Sequence, residues 1–183
     1  MFRLYTVEDI PITKLLHDDK YAYKKEGHGG KPVEEWPIYH FFKLYHSCEK
    51  EKAESLFVEW YIDQYRKYAN VNKSKGGMRK GSLDRLYKDM KSGNNVDTSF
   101  REAVVERVKQ RFQLLESILS SGYKPRDTNP VRAFMFKNGY YMIFGGNHRV
   151  AVLAALDYEL IPNIYVYKNN LSFIIHKIFN KLI

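Results

Sequence analysis

The feature that most constrains this fold is a glycine pair, Gly145 and Gly146, set between a β-hairpin pattern and a continuous apolar helix pattern. Residues 131–144 predict the hairpin, because the Asn-Gly dipeptide within them adopts the positive φ angles of tight turns. Residues 150–156 are apolar nearly all round, as is typical of a helix buried against a sheet. The chain should pass from strand to helix through the two glycines, whose backbone can approach a ligand closely.

The first helical turn after the glycines has the composition of an anion-binding site. N–H groups at the start of a helix point at whatever lies in front of it. His148 adds a donor that switches with protonation, and Arg149 adds the planar guanidinium that best matches phosphate oxygens. In the alternative interpretation the segment is a tight turn and Asn147 is the helix N-cap. We favour the anion site, because cations in a first turn oppose the helix dipole and a structural cap more often carries Asp or Glu.

Residues 130–167 resemble the core of the ParB/sulfiredoxin-like superfamily. The resemblance rests on Phe-Gly-Gly-Asn-His-Arg at 144–149, on the apolar helix after it and on the Ile-Pro strand that begins at Ile161. It implies that the phosphates of a nucleotide are held by Gly145, Gly146, Asn147, His148 and Arg149.

One position argues for an activity different from that of sulfiredoxins. Their catalytic cysteine stands where this chain has Asn147, and an amide cannot supply the thiolate that sulfinic acid reduction needs. ParB partition proteins place an arginine-rich motif at this turn and bind CTP, whereas the free serine kinases of the superfamily use a Gly-His-His-Arg-like version with adenine nucleotides. The His-Arg pair here is closer to sulfiredoxins and serine kinases, and the resemblance therefore implies an ATP site that is not a sulfinic acid reductase.

Residues 9–19, Asp-Ile-Pro-Ile-Thr-Lys-Leu-Leu-His-Asp-Asp, are similar to the opening strand and turn of the ParB-like kinases. In those kinases a comparable stretch leads to a carboxylate near the substrate hydroxyl. The resemblance implies that role for Asp18 or Asp19, although the proline that usually precedes the acid is missing. Paired aspartates after a strand are also ordinary solvated turn residues, and that interpretation stays open. Together with His148, the two aspartates are the expected catalytic residues.

The loop at 123–130, which precedes the hairpin, should face the glycine pair at one edge of the sheet. There Lys124, Arg126 and Thr128 are candidate nucleotide-binding residues. Asp127 could position a metal ion or a hydroxyl group. The Arg-Asp pair could equally form a plain turn.

A basic, glycine-rich loop at 76–82 is a second candidate phosphate cradle. It combines flexible backbone, cations and a hydroxyl just before a predicted short helix at 83–90. It lacks the spacing of a P-loop, and a solvated linker has the same composition. We expect Lys75, Lys80 and Ser82 to belong to a loop that orders over bound substrate.

Helical periodicity predicts three more helices, at 33–46, 49–68 and 97–121. In the last of these, Ser99 and Glu102 have capping-box spacing and Gly122 supplies a stop. Aromatic residues on the first two helices could line a pocket for a flat ligand or form the core, and we favour the core. They are Trp36, Tyr39, Phe42, Tyr45, Trp60, Tyr61 and Tyr65.

The tail at 170–183 alternates apolar and basic positions and predicts an amphipathic helix. Such a helix could lie on an anionic membrane, dimerise or dock on its own domain, and we favour docking. No helix-turn-helix is evident after residue 168, which weakens the case for a nucleic-acid-binding module.

Composition bounds the class of protein. The 183 residues, 44% of them hydrophobic, suffice for one ordinary core, so we expect a single domain over 1–183. No stretch approaches the ~20 apolar residues that span a membrane and no N-terminal signal pattern is present, so we expect a cytoplasmic protein. One cysteine, Cys48, excludes an internal disulfide and a multi-cysteine metal site. The net charge of +9 favours anionic partners, namely nucleic acid, a membrane surface or phosphorylated small molecules.

Together these patterns predict an α+β fold. We expect a small mixed sheet of ParB/sulfiredoxin type from residues near 2–16 and 123–168, a helical insertion across about 30–95 and a C-terminal helix at 170–183. The leading function is an ATP-dependent phosphotransferase that acts on a small hydroxyl-bearing metabolite, with Mg²⁺ bridging the phosphate oxygens. The alternative is a ParB-like nucleotide-dependent switch or nucleic-acid-binding module without kinase activity, and we do not favour nucleic acid as the partner. The acceptor, the nucleotide base and the oligomeric state stay open.

Overall fold

A computed structural model describes residues 5–18, 30–75, 96–125, 129–136 and 139–168 of the chain. These described residues form one mixed sheet of six strands and four α-helices, with short 3₁₀ turns at Ile12–Lys14 and Val33–Glu35. The strands are β1 (Thr6–Pro11), β2 (Leu15–Asp18), β3 (Gly30–Pro32), β4 (Arg132–Met135), β5 (Tyr141–Gly145) and β6 (Leu160–Tyr167). The helices are α1 (Pro37–His46), α2 (Lys50–Lys75), α3 (Val96–Ser121) and α4 (Asn147–Ala155). The predicted α+β class is confirmed.

The strand order across the sheet is β1-β6-β4-β5-β2-β3. Neighbouring strands pair antiparallel except for two parallel pairs, β2 with β5 and β4 with β6. The predicted hairpin is confirmed as β4 and β5, with Phe134 opposite Met142, and Gly139 in its turn has a φ of +79°. Because β2 and β5 run parallel, both end at the same edge of the sheet, where β5 continues into α4.

The sheet extends further than the sequence predicts. β3 lies within the expected insertion, yet it pairs with β2 as an edge strand, with Gly30 opposite Asp18. Glycine permits this pairing, because a Cβ at Gly30 would lie 2.9 Å from Cδ1 of Leu16 and closer still to its Cβ. Three residues are too few to show the alternation by which strands are recognised in a sequence.

Proline sets the start of α1. The predicted helix from Val33 is wrong at its beginning, where a 3₁₀ turn and the extended residue Trp36, with a ψ of 130°, precede Pro37. A residue before proline is disfavoured in the α region, whereas proline itself suits the first helical position. The Trp36 indole N–H donates to the carbonyl oxygen of Lys31 at 2.8 Å, which fixes this entry to the helix.

The other long helices also differ from their predicted bounds. α2 continues to Lys75, beyond its predicted end. α3 begins at Val96, so Ser99 lies inside the first turn and the predicted cap at Ser99 is wrong. The predicted stop is confirmed, because Gly122 has a φ of +71° and its N–H donates to the carbonyl oxygen of Ile118 at 2.9 Å.

Alternating buried residues of the strands and the apolar helix α4 build the core around the site. Ala133, Ile143 and Ile164 are completely buried, while their strand neighbours are half-buried or exposed. Every residue of α4 from Val150 to Ala155 is buried, as its apolar sequence predicts. Burying one Val or Leu side chain contributes about 1.5–3 kcal/mol, so this helix is anchored from its second turn onward.

Within the described residues the chain divides into two compact units. Residues up to Lys43 and from Leu115 onward form the sheet unit, and Leu44–Leu114 form a helical unit. The expected insertion over about 30–95 overlaps the helical unit, but its first part belongs to the sheet unit. That the whole chain is a single domain stays a prediction.

Aromatic packing forms the core of the helical unit. The rings of Tyr45 and Phe112 stack with centroids 4.0 Å apart, and Phe57 meets Phe112 edge to face at 5.8 Å. In the sheet unit, Trp36 and Phe42 are likewise buried. The core interpretation of the aromatic residues is therefore confirmed for Trp36, Phe42 and Tyr45.

Three predicted elements lie outside the described residues: the loop at 76–82, the short helix at 83–90 and the tail helix at 170–183. None of the helices that the structure describes is long and apolar enough to cross a membrane. The cytoplasmic location stays a prediction.

Candidate functional site

The glycine pair joins β5 to α4 through a left-handed residue. Gly145 is the last residue of β5, and Gly146, with φ +86° and ψ +18°, is the N-cap of α4. A left-handed conformation costs a non-glycine residue about 1–2 kcal/mol. Asn147 is the first residue of the helix, so the alternative interpretation that made it the N-cap is wrong.

The start of α4 presents donors and cations together. The first helical hydrogen bonds are donated by the N–H groups of Arg149 and Val150, both to the carbonyl oxygen of Gly146, at 2.9 and 3.1 Å. The N–H groups of Asn147 and His148 come before these bonds, at the positive end of the helix dipole. The first turn holds no acidic residue, and it carries both His148 and Arg149. This charge arrangement is unfavourable for a bare helix end and favourable for one that meets an anion.

Gly146 is closely packed against Val131 and Arg149. A Cβ at Gly146 would lie 3.0 Å from Cγ2 and 3.1 Å from Cα of Val131, and 3.2 Å from Nη2 of Arg149. The Arg149 guanidinium therefore lies back over Gly146, and its Nη1 atom is buried, as is Oδ1 of Asn147. A Cβ at Gly146 would therefore crowd Val131 and Arg149, which accounts for a glycine at this position.

Arg132, which no sequence motif marks as a site residue, lies at the same place. The β4–β5 register shifts between Ala133 and Arg132, so that Ala133 faces Ile143 but Arg132 faces Gly145. The Cβ, Cγ and Cδ atoms of Arg132 lie 3.6–3.8 Å from the position that a Cβ of Gly145 would take. Each glycine of the pair thus has an arginine side chain against it. The only signal in the sequence is a charged residue inside an otherwise apolar strand.

The backbone of Asp18 ends β2 near this turn. Leu15, Leu16 and His17 pair in parallel with Tyr141, Met142 and Ile143. Asp18 follows, level with Phe144 and one residue short of Gly145 in this register. With strands about 4.8 Å apart and a rise of about 3.3 Å per residue, the Cα atoms of Asp18 and Gly145 are about 6 Å apart. The sheet therefore brings the backbone of Asp18, one of the two predicted catalytic aspartates, to the edge where α4 begins.

Aromatic residues of β6 lie beside Arg132. Tyr165 is opposite Arg132 in the β4–β6 register and stacks on Tyr5, with ring centroids 4.3 Å apart. The ring of Tyr167 is tilted against Phe144 at 5.5 Å. Burial raises the pKa of Tyr167, and the positive charge of Arg132 partly offsets this effect. The charge of Arg132 therefore acts on a residue of the neighbouring strand β6.

The remaining predicted site residues are not brought to the turn by anything that the structure describes. Lys124 is exposed in the segment after α3, and Lys75 is the last residue of α2. Five predicted residues lie outside the described ranges, namely Asp19, Lys80, Ser82, Arg126 and Thr128, and so does the predicted metal ligand Asp127. Within the described ranges no group of three or more His, Cys, Asp or Glu residues could hold a metal ion.

No protein-family model, no curated protein and no solved structure matches the chain.

Proposed function

We propose that this protein binds a nucleoside triphosphate at Gly145–Arg149 and transfers a phosphoryl group from ATP to a small hydroxyl-bearing metabolite. The observation that carries the proposal is the left-handed Gly146 at the start of α4, with the guanidinium of Arg149 against it. A helix start that carries cations, no acid and no side-chain cap is suited to phosphate groups. The resemblance of this segment to the ParB/sulfiredoxin-like superfamily supports the same assignment.

Each group at the edge has a role in this proposal. The N–H groups of Asn147 and His148 and the guanidinium of Arg149 hold the phosphates. Mg²⁺, when bound with the nucleotide, neutralises charge on the phosphate oxygens. Asp18, which ends the strand parallel to β5, orients the acceptor hydroxyl and accepts its proton.

Nucleotide binding is tested by calorimetric titration with ATP and Mg²⁺. Arg149→Ala should weaken binding about 10- to 150-fold, because a charge-assisted hydrogen bond contributes about 1.5–3 kcal/mol. Arg101→Ala is the matched control, since it removes the same charge from an exposed side chain that pairs with Glu59 on the helical unit. Unchanged affinity in a folded Arg149→Ala protein, or equal losses in the two variants, would refute the site.

Phosphoryl transfer is tested separately, with ATP labelled in its γ-phosphate and a panel of hydroxyl-bearing metabolites. Asp18→Asn should lower turnover by about 10²–10⁴ with little change in ATP affinity, because a general base acts on the chemical step. Asp9→Asn is the control on β1, where the Asp9 carboxylate accepts the Asn163 N–H at 3.0 Å. ATP binding without metabolite-stimulated turnover would instead favour the nucleotide-dependent switch. A gel-shift salt series with duplex DNA would then show whether nucleic acid is its partner.

A further inference from the structure

The register shift in the hairpin gives Arg132 an unusual position. Arg132 begins β4 and Gly145 ends β5, so the two residues face each other at the edge where α4 starts. The aliphatic part of Arg132 lies against Gly145, and the guanidinium of Arg149 lies against Gly146. Without the shift, Arg132 would face Phe144 instead. The two arginines thus approach consecutive residues of one short turn from different elements.

We propose that Arg132 is a second phosphate-contacting residue of the glycine turn, and that it makes the site prefer nucleoside di- and triphosphates to monophosphates. This inference rests on the proposed function. Consecutive Cα atoms are about 3.8 Å apart, so two arginines packed against consecutive glycines can each contact a different phosphoryl group of one nucleotide. A monophosphate has a single phosphoryl group and so lacks the second one that Arg132 would contact.

The competing role for Arg132 is structural, with its aliphatic stem covering Gly145 and its charge near the β6 aromatic rings. Arg132→Met separates the two roles, because methionine keeps an unbranched stem and removes the charge. Arg132→Lys keeps the charge and removes the planar fork. Thermal unfolding of both variants without nucleotide shows whether the hairpin is intact.

The experiment compares the affinities of ATP, ADP and AMP, each with Mg²⁺, for the wild type, Arg132→Met and Arg132→Lys. Arg132→Met should bind ATP and ADP about tenfold or more weakly and leave AMP affinity nearly unchanged, so the ATP-to-AMP affinity ratio falls. Arg132→Lys should restore part of that ratio. Arg101→Ala should leave the ratio at its wild-type value.

An ATP-to-AMP ratio that stays at the wild-type value in Arg132→Met would overturn the inference, whether all three nucleotides weaken together or none does. That result leaves the proposed function standing if Arg149→Ala still weakens ATP binding. Failure of the wild type to bind any of the nucleotides would overturn the proposed function, and this inference with it.

Discussion

The close approach of the backbone at Gly146 makes a quantitative prediction about Gly146→Ala. The substitution imposes a left-handed backbone on alanine, at a cost of about 1–2 kcal/mol. The new Cβ would also lie 3.0 Å from Cγ2 and 3.1 Å from the backbone Cα of Val131, which is 1% exposed. Overpacking a core site typically costs about 1–3 kcal/mol. We therefore expect Gly146→Ala to lower the free energy of unfolding by about 2–5 kcal/mol.

Gly122→Ala provides a matched control in the same compact unit. Gly122 has a similar φ, +71° against +86° for Gly146, but a Cβ there would meet nothing within 4 Å. It should therefore cost only the backbone penalty of about 1–2 kcal/mol. Any stabilisation that alanine contributes by restricting the unfolded chain is shared by both variants and cancels in the comparison.

Urea denaturation of the two variants and the wild type measures the difference directly. The gap between the variants isolates the steric contact, and we expect about 1–3 kcal/mol. Equal destabilisation of the two variants would refute the reasoning, because it would mean that the turn is not packed against Val131. In the same proteins, Gly146→Ala should weaken ATP binding, whereas Gly122→Ala should not.

Three further predictions concern other parts of the sheet unit. Gly30→Ala should destabilise the β2–β3 pairing by about 1–3 kcal/mol in urea denaturation, because its Cβ would overlap the side chain of Leu16; wild-type stability would contradict the register of β3. Burial alone would raise the pKa of Glu8, but the hydrogen bond and charge of Lys168, together with hydrogen bonds from Thr6 and Tyr141, outweigh burial and hold the pKa below its ordinary value of 4.5. The stability that Glu8 contributes is thus fully present above pH 4.5 and is lost as the pH falls through its native pKa. The difference in free energy of unfolding between wild type and Glu8→Gln should therefore shrink on acidification. A difference that grows would show that the pKa of Glu8 is shifted in the opposite direction. Because Asn147 offers no thiolate, the protein should not repair a sulfinylated peroxiredoxin with ATP, and observed repair in a coupled assay would refute that argument.

Short-range patterns predicted much of the neighbourhood of the turn. The Asn-Gly dipeptide predicted the hairpin, the apolar run at 150–156 predicted α4, and Gly122 predicted the end of α3. Each of these features depends on the conformational preferences of a few adjacent residues, and such preferences can be recognised in the sequence itself. Where a competing local rule intervened, as Pro37 did at the start of α1, the predicted boundary was wrong.

The candidate site was predicted only in part, for a different reason. The residues of the glycine turn are contiguous in the chain, so a single sequence motif contains all of them. Asp18 reaches the same edge through the pairing of β2 with the distant strand β5, and Arg132 faces Gly145 through a register shift within the hairpin; no local pattern indicates either. The identity of the N-cap could not be decided from sequence either, since both Gly146 and Asn147 are acceptable caps. In the structure Gly146 is the N-cap, and it packs closely against Val131.

The sequence by itself thus determined the hairpin, the glycine pair, the cations after it and the buried helix, because hydrophobic periodicity and turn chemistry act between near neighbours. Only the tertiary structure decided that β2 lies parallel to β5, that a register shift sets Arg132 against Gly145, and that Gly30–Pro32 add an edge strand. Strand partners and registers depend on which strands bury each other's apolar faces, and alternation within one strand specifies its buried face but neither its partner nor an irregularity in its register.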